Sequence, residues 1–104
     1  LILPRINGEN IEWVDWNGTA ETLTTNGKFT EPTGPVFERL DSIDLVLVPA
    51  LAIDPDGYRL GQGGGYYDRA LPQLRAWRHG VVFPFERMEH DLPREPWDQP
   101  VNSW

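Results

Sequence analysis

The stretch of residues 59–68, with the sequence RLGQGGGYYD, carries the residue types best suited to chemistry in this chain. Four glycines fall within five positions: Gly61, Gly63, Gly64 and Gly65. Because glycine has no Cβ atom, such a run lets backbone N–H groups approach a ligand closely. Arg59 adds a fork of donors that matches a phosphate group, and Asp68 adds a carboxylate that can hold a hard cation. The stretch is therefore predicted to bind phosphate.

Two well-known phosphate loops do not fit this stretch. The Walker pattern ends in Gly-Lys-Ser/Thr, whereas Gly65 is followed by two tyrosines and Asp68. The dinucleotide pattern G-x-G-x-x-G also fails, because its sixth position is Tyr66 when counted from Gly61 and Asp68 when counted from Gly63. The glycines alone are equally typical of a flexible surface loop, so both interpretations stay open at this point.

The flanking residues indicate how this loop is positioned. Residues 44–49 contain the run LVLV and predict a buried parallel strand that ends at Pro49 and has helices on both sides. This strand is joined to another at residues 81–83 by a right-handed crossover, and Trp77 packs inward. The helix in between meets Pro72, where it either kinks or stops before a second turn. Apolar residues at helical spacing predict that helix, with its positive end facing the phosphate: Tyr67, Ala70, Leu71 and Leu74.

The chain before residue 44 predicts less regular structure. Residues 1–3 form a short strand that Pro4 ends, and residues 11–16 alternate as a strand does. Residues 18–33 are polar and predict a loop with one short element around residues 21–23. Residues 36–43 carry apolar side chains at helical steps, but this segment is short.

Several other side chains have both a structural and a functional interpretation. Trp13 and Trp16 either pack or line a ligand pocket, and packing is the more common role for a single tryptophan. Two histidines lie outside any metal-ligand spacing, and two aspartates lie in a turn where they are solvated or cap the backbone: His79, His90, Asp54 and Asp56. Near the chain end, a last strand is predicted at Val101.

Composition limits the possible functions. A length of 104 residues fits a single α/β domain that spans residues 1–104. The net charge of −7 argues against nucleic-acid binding, which needs a basic surface. The chain has no cysteines, which excludes disulfides, thiol catalysis and zinc–thiolate sites. No apolar run reaches transmembrane length and no signal peptide is visible, so a cytoplasmic protein without a membrane partner is expected.

The sequence resembles the 5-formyltetrahydrofolate cyclo-ligase family, also called the methenyltetrahydrofolate synthetase family. The most specific matches lie in and before the glycine stretch, at residues 48–52, Asp54, Gly57, residues 59–61, Gly63, residues 65–69 and Leu71. Further matches extend the resemblance over nearly the whole chain, at residues 3–4, Trp13, Trp16, and residues 31–32, 80–83, 92–95 and 98–101.

The resemblance implies an activity and a site. Family members are ATP-dependent ligases of one-carbon metabolism that convert 5-formyltetrahydrofolate and ATP, with magnesium, into 5,10-methenyltetrahydrofolate, ADP and phosphate. The implied partners are therefore two small molecules, a reduced folate and ATP. Arg59 and Tyr66 are implied as catalytic residues, and Asp68 and Asp98 as the magnesium ligands. Residues 62–66 would also border the folate, and the implied ATP-binding residues are Arg59, Leu60, Gly61, Gln62, Gly63, Gly64, Gly65, Tyr66 and Tyr67.

The resemblance also implies a fold, a three-layer α/β sandwich around a mostly parallel, Rossmann-like sheet, similar to the CoA-transferase-like fold and incomplete in this chain. The chain is similar to the C-terminal part of family members, so the 104 residues alone are not expected to be an efficient enzyme. Four positions depart from the family pattern: Ile53, Glu86, Trp97 and Asn102. The alternative function is a non-catalytic module that binds a nucleotide or phosphate.

Overall fold

The structure of the protein, a computed structural model, describes residues 1–104. The chain forms two compact units, Leu1–Leu40 and Asp41–Trp104. It is an α/β structure with small two-stranded sheets and few helices. None of these helices has the length and the apolar character that crossing a bilayer requires.

The first unit begins with an antiparallel hairpin of β1 (Ile2–Asn7) and β2 (Asn10–Asp15). β1 continues through Pro4, so the prediction that Pro4 ends this strand is wrong. Pro4 lies opposite Trp13, whose carbonyl oxygen accepts a hydrogen bond from Phe37 N–H at 2.6 Å rather than from β1. Because this position in the ladder needs no N–H donor, proline is tolerated there.

A second antiparallel hairpin, of β3 (Leu23–Asn26) and β4 (Phe29–Pro32), follows a 3-10 turn at Ala20–Thr22. It occupies much of the stretch that was predicted to be a loop, so the loop prediction is wrong there. The 3-10 turn overlaps the short element predicted around residues 21–23. The turn consists of Gly27, with a φ of 60°, and Lys28. A glycine with positive φ in a two-residue turn matches the twist of the strands it joins.

Glu31 on β4 is buried, and its carboxylate joins the two hairpins of the first unit. Its Oε2 accepts a hydrogen bond from Ile6 N–H at 2.7 Å, and its Oε1 accepts one from Asn26 Nδ2 at 3.0 Å. A buried carboxylate without such donors would strongly destabilise the fold. Glu31 therefore fixes β4 against β1.

The second unit contains four strands: β5 (Leu45–Pro49), β6 (Ala52–Ile53), β7 (Arg59–Leu60) and β8 (Trp77–Val81). β5 pairs with β8 in parallel, and the short β6 and β7 pair antiparallel. The predicted parallel strand at residues 44–49 is thus confirmed. Its Val46 and Val48 are buried, whereas Leu45 and Leu47 are 55% and 59% exposed. One face of β5 is covered in this chain, and the helices expected on both sides are not observed.

β8 lies earlier in the chain than the strand predicted at residues 81–83. Gly80 lies inside the strand, where a Cβ atom would overlap the side chain of Ile53. Trp77 at the start of β8 is 56% exposed, so the prediction that it packs inward is wrong. The close approach of Ile53 to Gly80 inside β8 is a tertiary contact that local apolar patterning does not reveal.

The helix after the glycine loop is short. α1 (Tyr66–Ala70) ends before Pro72, which lies in a separate 3-10 turn at Leu71–Gln73. The alternative in which the helix stops is therefore the correct one. A five-residue helix has a weak dipole, so the predicted electrostatic role of its positive end is not supported. The helical steps at residues 36–43 likewise yield only a 3-10 turn, Leu40–Ser42.

The end of the chain runs along β8. Val101 is buried, and Gly80 N–H donates to the carbonyl oxygen of Ser103 at 2.8 Å. His79 and Ser103 form an isolated parallel bridge. The strand predicted at Val101 is therefore reduced to one bridge.

Gly57 is predicted to tolerate no side chain. Its φ is 85°, and a Cβ atom would lie 2.5 Å from the carbonyl oxygen of Val101, a backbone atom that cannot move aside easily. Gly57→Ala should therefore lower the free energy of unfolding by about 3 kcal/mol.

Gly63→Ala is the matched control for Gly57→Ala. Gly63 has a similar φ of 94°, but a Cβ atom added there would meet no other atom within 4 Å. This variant should lose about 1 kcal/mol, the cost of left-handed backbone geometry. Equal losses for both variants in urea unfolding would contradict the overlap with Val101.

Candidate phosphate-binding site

The glycine loop connects β7 to α1, and its conformation depends on glycine at two positions. Gly63 and Gly65 have φ angles of 94° and 69°, in the left-handed region. A Cβ atom on Gly64 would lie 2.6 Å from the ring of Tyr66. Gln62, Gly63 and Gly64 are exposed. The loop therefore presents exposed backbone, which is most open at Gly63, where an added Cβ atom would meet no other atom within 4 Å.

Arg59 lies at the start of this loop with its side chain only 6% exposed. Its Nη2 donates to Asp68 Oδ1 at 3.1 Å, and its guanidinium carbon lies 5.5 Å from the centre of the Tyr67 ring. Burial lowers the pKa of Arg59, and the charges of Asp68, Tyr67 and Asp98 oppose this effect. Its Nε is buried and has no hydrogen-bond partner. An additional acceptor, such as a phosphate oxygen, would satisfy this remaining N–H donor.

Asp68 joins the loop to a distant part of the chain. Besides Arg59, its Oδ1 accepts a hydrogen bond from the backbone N–H of Gln99 at 3.0 Å. Its side chain is 20% exposed, so the ion pair with Arg59 is largely removed from water. Removing one partner of such a buried pair typically costs about 3–5 kcal/mol, against about 0–1 kcal/mol for an exposed pair.

Asp98 precedes Gln99 and is half-buried. Its Oδ2 accepts a hydrogen bond from Glu95 N–H at 2.8 Å, and its own N–H donates to the Glu95 carbonyl oxygen at 3.0 Å. Asp98 thus closes a turn, but its charge also acts on Arg59. The structure therefore brings both Asp68 and Asp98 into electrostatic range of Arg59. The chain contains no cluster of three or more His, Asp or Glu side chains able to hold a metal unaided.

Tyr66 and Tyr67 have different neighbours. Burial raises the pKa of Tyr67, and the charge of Arg59 partly opposes this. Tyr66 has the guanidinium carbon of Arg69 at 5.3 Å from its ring centre. Arg69 also donates from Nη2 to the carbonyl oxygen of Gly64 at 2.8 Å. Arg69 therefore turns back toward the loop and supports it, a contact that the sequence did not predict.

Asp54 is a buried carboxylate that sequence reasoning undervalued. Its Oδ1 accepts hydrogen bonds from Asp56 N–H and Tyr58 N–H, both at 3.0 Å, so the capping alternative is right. Its Oδ2 accepts from Leu92 N–H at 2.9 Å and from Arg94 Nη2 at 3.0 Å. The turn sequence signals the first pair of bonds. The second pair comes from residues far along the chain and has no local signal.

Arg94 completes this buried cluster. Its guanidinium carbon lies 3.8 Å from the centre of the Tyr58 ring, and Nη2 is 3.4 Å from Asp56 Oδ2. Burial alone would raise the pKa of Asp54, but three backbone N–H groups and the charge of Arg94 outweigh it and lower that pKa below its ordinary value. The cluster holds the segment around Leu92 against the turn that precedes β7.

The remaining candidates have structural roles in their own units. Trp13 is buried, which favours packing, and Trp16 Nε1 donates to the Thr19 carbonyl oxygen and to Thr22 Oγ1. His79 Nδ1 lies 2.7 Å from Ser103 Oγ, and His90 is exposed. Neither histidine lies in a group suited to metal binding.

Comparison with known sequences identifies relatives over most of the chain. The sequence model of the 5-formyltetrahydrofolate cyclo-ligase family matches residues 1–103. The 5-formyltetrahydrofolate cyclo-ligase of Escherichia coli K12 is 30% identical over 107 residues, covering 96% of this chain and 57% of that protein. The enzyme of the same name from Mycolicibacterium smegmatis is 40% identical over 71 residues, covering 65% of this chain and 37% of that protein.

Solved structures agree with the sequence comparison. The NMR structure of Aquifex aeolicus 5,10-methenyltetrahydrofolate synthetase is similar with a TM-score of 0.79 and 37% identity, covering 97% of this chain and 52% of that one. The 5,10-methenyltetrahydrofolate synthetase of Mycoplasma pneumoniae gives a TM-score of 0.72 at 30% identity, with 98% and 52% covered. The chain thus spans about half the length of the relatives it matches.

Asp54 should make folding sensitive to acid. Because its folded pKa lies below the unfolded value of about 3.9, its charged form contributes stability above that pH, and the contribution is lost as the pH falls through the folded pKa. The side chain introduced by Asp54→Asn cannot titrate. Its NH2 group would face N–H donors that now bond to a carboxylate oxygen. It should lose about 2–4 kcal/mol at neutral pH.

The wild-type advantage over Asp54→Asn should shrink when urea unfolding is measured below about pH 4. Asp56→Asn is the control, since the Asp56 side chain is 58% exposed, and it should change stability little at either pH. A wild-type advantage that is equal at neutral and acidic pH would contradict the electrostatic role of Asp54.

Proposed function

The chain belongs to the 5-formyltetrahydrofolate cyclo-ligase family, and we propose that the protein containing it converts 5-formyltetrahydrofolate and ATP into 5,10-methenyltetrahydrofolate, ADP and phosphate. The observation that carries this proposal is the family match over residues 1–103, which includes the glycine loop with Arg59 and Asp68. The buried Nε–H of Arg59 has no hydrogen-bond acceptor. This gives the proposal physical support, because an anionic ligand could supply that acceptor.

The proposed reaction needs a better leaving group than the formyl oxygen. Transfer of the γ-phosphoryl group of ATP to this amide-like oxygen gives an iminium phosphate. N10 of the folate then attacks the formyl carbon and loses its proton, the carbon–oxygen bond breaks, and phosphate leaves. The protein must hold the two reactants in line and stabilise the charge on the transferred group.

We assign ATP binding to residues 59–67, with Arg59 and Tyr66 acting in the reaction. Exposed backbone at Gly63 and Gly64 supports contact between loop N–H groups and phosphate oxygens. The buried Arg59 supplies a fixed positive charge, and Arg69 supplies a second cation next to the Tyr66 ring. Charged donors in fixed positions with little surrounding water are effective at stabilising a transferring phosphoryl group. The reduced folate would lie against residues 62–66.

Magnesium fits the residues at this site if phosphate oxygens complete its coordination. Mg²⁺ usually keeps several waters and takes one or two carboxylates together with substrate phosphates. Asp68 and Asp98 both lie within electrostatic range of Arg59, which supports their assignment as the two carboxylates. When bound, the ion would neutralise charge on the phosphates. The hydrogen bonds from Arg59 and from Gln99 N–H would orient the Asp68 carboxylate.

Four broader assignments remain proposals. We propose a single α/β domain over residues 1–104 with the three-layer, mostly parallel sandwich expected for the family, supported by the parallel pairing of β5 and β8. A cytoplasmic location, independence of membranes, and the absence of a nucleic-acid partner complete the proposal. The net charge of −7 supports the last of these.

Asp68→Asn should separate a metal-binding role from a purely structural role as the partner of Arg59 and Gln99. The amide keeps an oxygen that can accept the bonds from Arg59 and Gln99, but it removes the charge. The magnesium concentration needed for half-maximal ATP binding should rise at least tenfold. The free energy of unfolding should also fall by about 3 kcal/mol, because the buried Arg59 loses the charge of its partner. Asp56→Asn is the control for loss of one exposed carboxylate. An unchanged magnesium titration in this less stable variant would show that Asp68 serves only as the partner of Arg59 and Gln99.

The proposed activity is tested on a full-length protein that contains this chain. With 5-formyltetrahydrofolate, ATP and Mg²⁺, it should form the methenyl product, which is followed by its absorbance. Gly63→Val should lower kcat/KM at least tenfold because a branched side chain occupies the surface that the phosphates approach. Gly18→Val, at a φ of 89° and also in open space, is the control outside the loop.

Two results of this experiment would revise the function. ATP binding without product would favour the alternative, a non-catalytic nucleotide-binding module. No ATP binding by a folded protein would overturn the assignment of the glycine loop.

A further inference from the structure

Arg78 is a charged residue on the covered face of the parallel sheet. It lies on β8 opposite the buried Val46. Its neighbour Trp77 faces the other side of the sheet and is exposed. A guanidinium on this face must find acceptors, because it is partly removed from water. The glycine loop and the proposed carboxylates do not themselves explain why a cation lies here.

The guanidinium of Arg78 finds three acceptors on two segments of chain. Nη2 donates to the carbonyl oxygen of Leu71 at 3.1 Å, directly after α1. Nη1 donates to Gln99 Oε1 at 3.3 Å and to the carbonyl oxygen of Pro100 at 3.2 Å. One rigid fork thus connects the end of the helix that carries Asp68 to the segment that follows Asp98.

The backbone of Arg78 holds the same segment a few residues further on. Its N–H donates to Asn102 Oδ1 at 2.8 Å, and its carbonyl oxygen accepts from Asn102 N–H at 2.8 Å. These bonds fix where the segment lies along β8. The side chain then sets how closely Gln99 approaches α1, where Gln99 N–H meets Asp68 Oδ1 at 3.0 Å.

We propose that Arg78 is a positioning residue that holds the Gln99 N–H on Asp68 and thereby fixes the separation of the two carboxylates, Asp68 and Asp98. The importance of that separation for Mg²⁺ and ATP rests on the proposed function. The contact between Gln99 and Asp68 does not, so the two can be tested apart. A guanidinium is needed because an ammonium, a single point of charge, cannot span the acceptors on Leu71 and Gln99 together.

The test uses the full chain and compares Arg78→Gln, Arg78→Lys and the matched control Arg75→Gln. Arg75 is exposed, so its substitution removes the same charge without touching the connection. The first measurement is hydrogen exchange of the Gln99 amide by NMR. In both Arg78 variants the protection factor of the Gln99 amide should fall at least tenfold. In Arg75→Gln it should stay within twofold of the wild-type value. The second measurement is Mg²⁺-dependent ATP affinity, which should fall about fivefold or more in both Arg78 variants.

Each outcome decides between positioning and its alternatives. Unchanged Gln99 protection in a folded Arg78→Gln variant would overturn the proposal. Full recovery of protection and affinity by Arg78→Lys would also overturn it, because charge alone would then suffice. If the wild-type chain binds no ATP, loss of Gln99 protection still supports positioning, and the proposed function alone fails. If the Arg78 variants do not fold, Gln99→Ala, which removes one acceptor, should lower protection of residue 99 about threefold, and no change would overturn the proposal.

Discussion

The guanidinium of Arg59 is almost entirely removed from water, and it must therefore keep a carboxylate beside it. Asp68 meets this requirement at 3.1 Å. Because Arg59 precedes the glycine loop and Asp68 follows it, their pairing closes the loop at its base. The intervening backbone then needs the left-handed geometry seen at Gly63 and Gly65. One buried ion pair thus fixes both ends of the loop.

Polar contacts also hold the last part of the chain, which has little regular structure. Asp54 binds the segment at Leu92 and Arg94, and Arg78 binds the segment at Gln99 and Pro100. Between these two attachments lies Asp98. An irregular segment fixed at both ends by charged hydrogen bonds can hold a carboxylate in place without a helix or strand. The proposed magnesium site depends on this arrangement, because its two carboxylates come from distant parts of the chain.

The sequence predicted the local parts of this structure better than the tertiary ones. The parallel strand at residues 44–49, the interruption of the helix at Pro72 and the place of the glycine loop before a helix were predicted correctly, because each depends on neighbouring residues. The hairpin of β3 and β4 was missed although Gly27 was a signal for its turn. The packing of Ile53 against Gly80 inside β8 could not be predicted, since it joins residues that are far apart in the sequence. The hydrogen bonds from Arg78 and Arg94 join residues that no sequence pattern connects, and only the folded chain reveals them.

Binding of the ATP phosphates by the loop between Arg59 and Asp68 is the central claim. The most direct measurement is an NMR titration of the uniformly ¹⁵N-labelled chain with ATP and Mg²⁺. We predict saturable shifts at the amides of residues 61–65 and at the Arg59 Nε–H, with smaller shifts at residues 98–99. Saturable shifts that leave residues 59–68 unchanged, or no shifts at millimolar ATP, would contradict this claim.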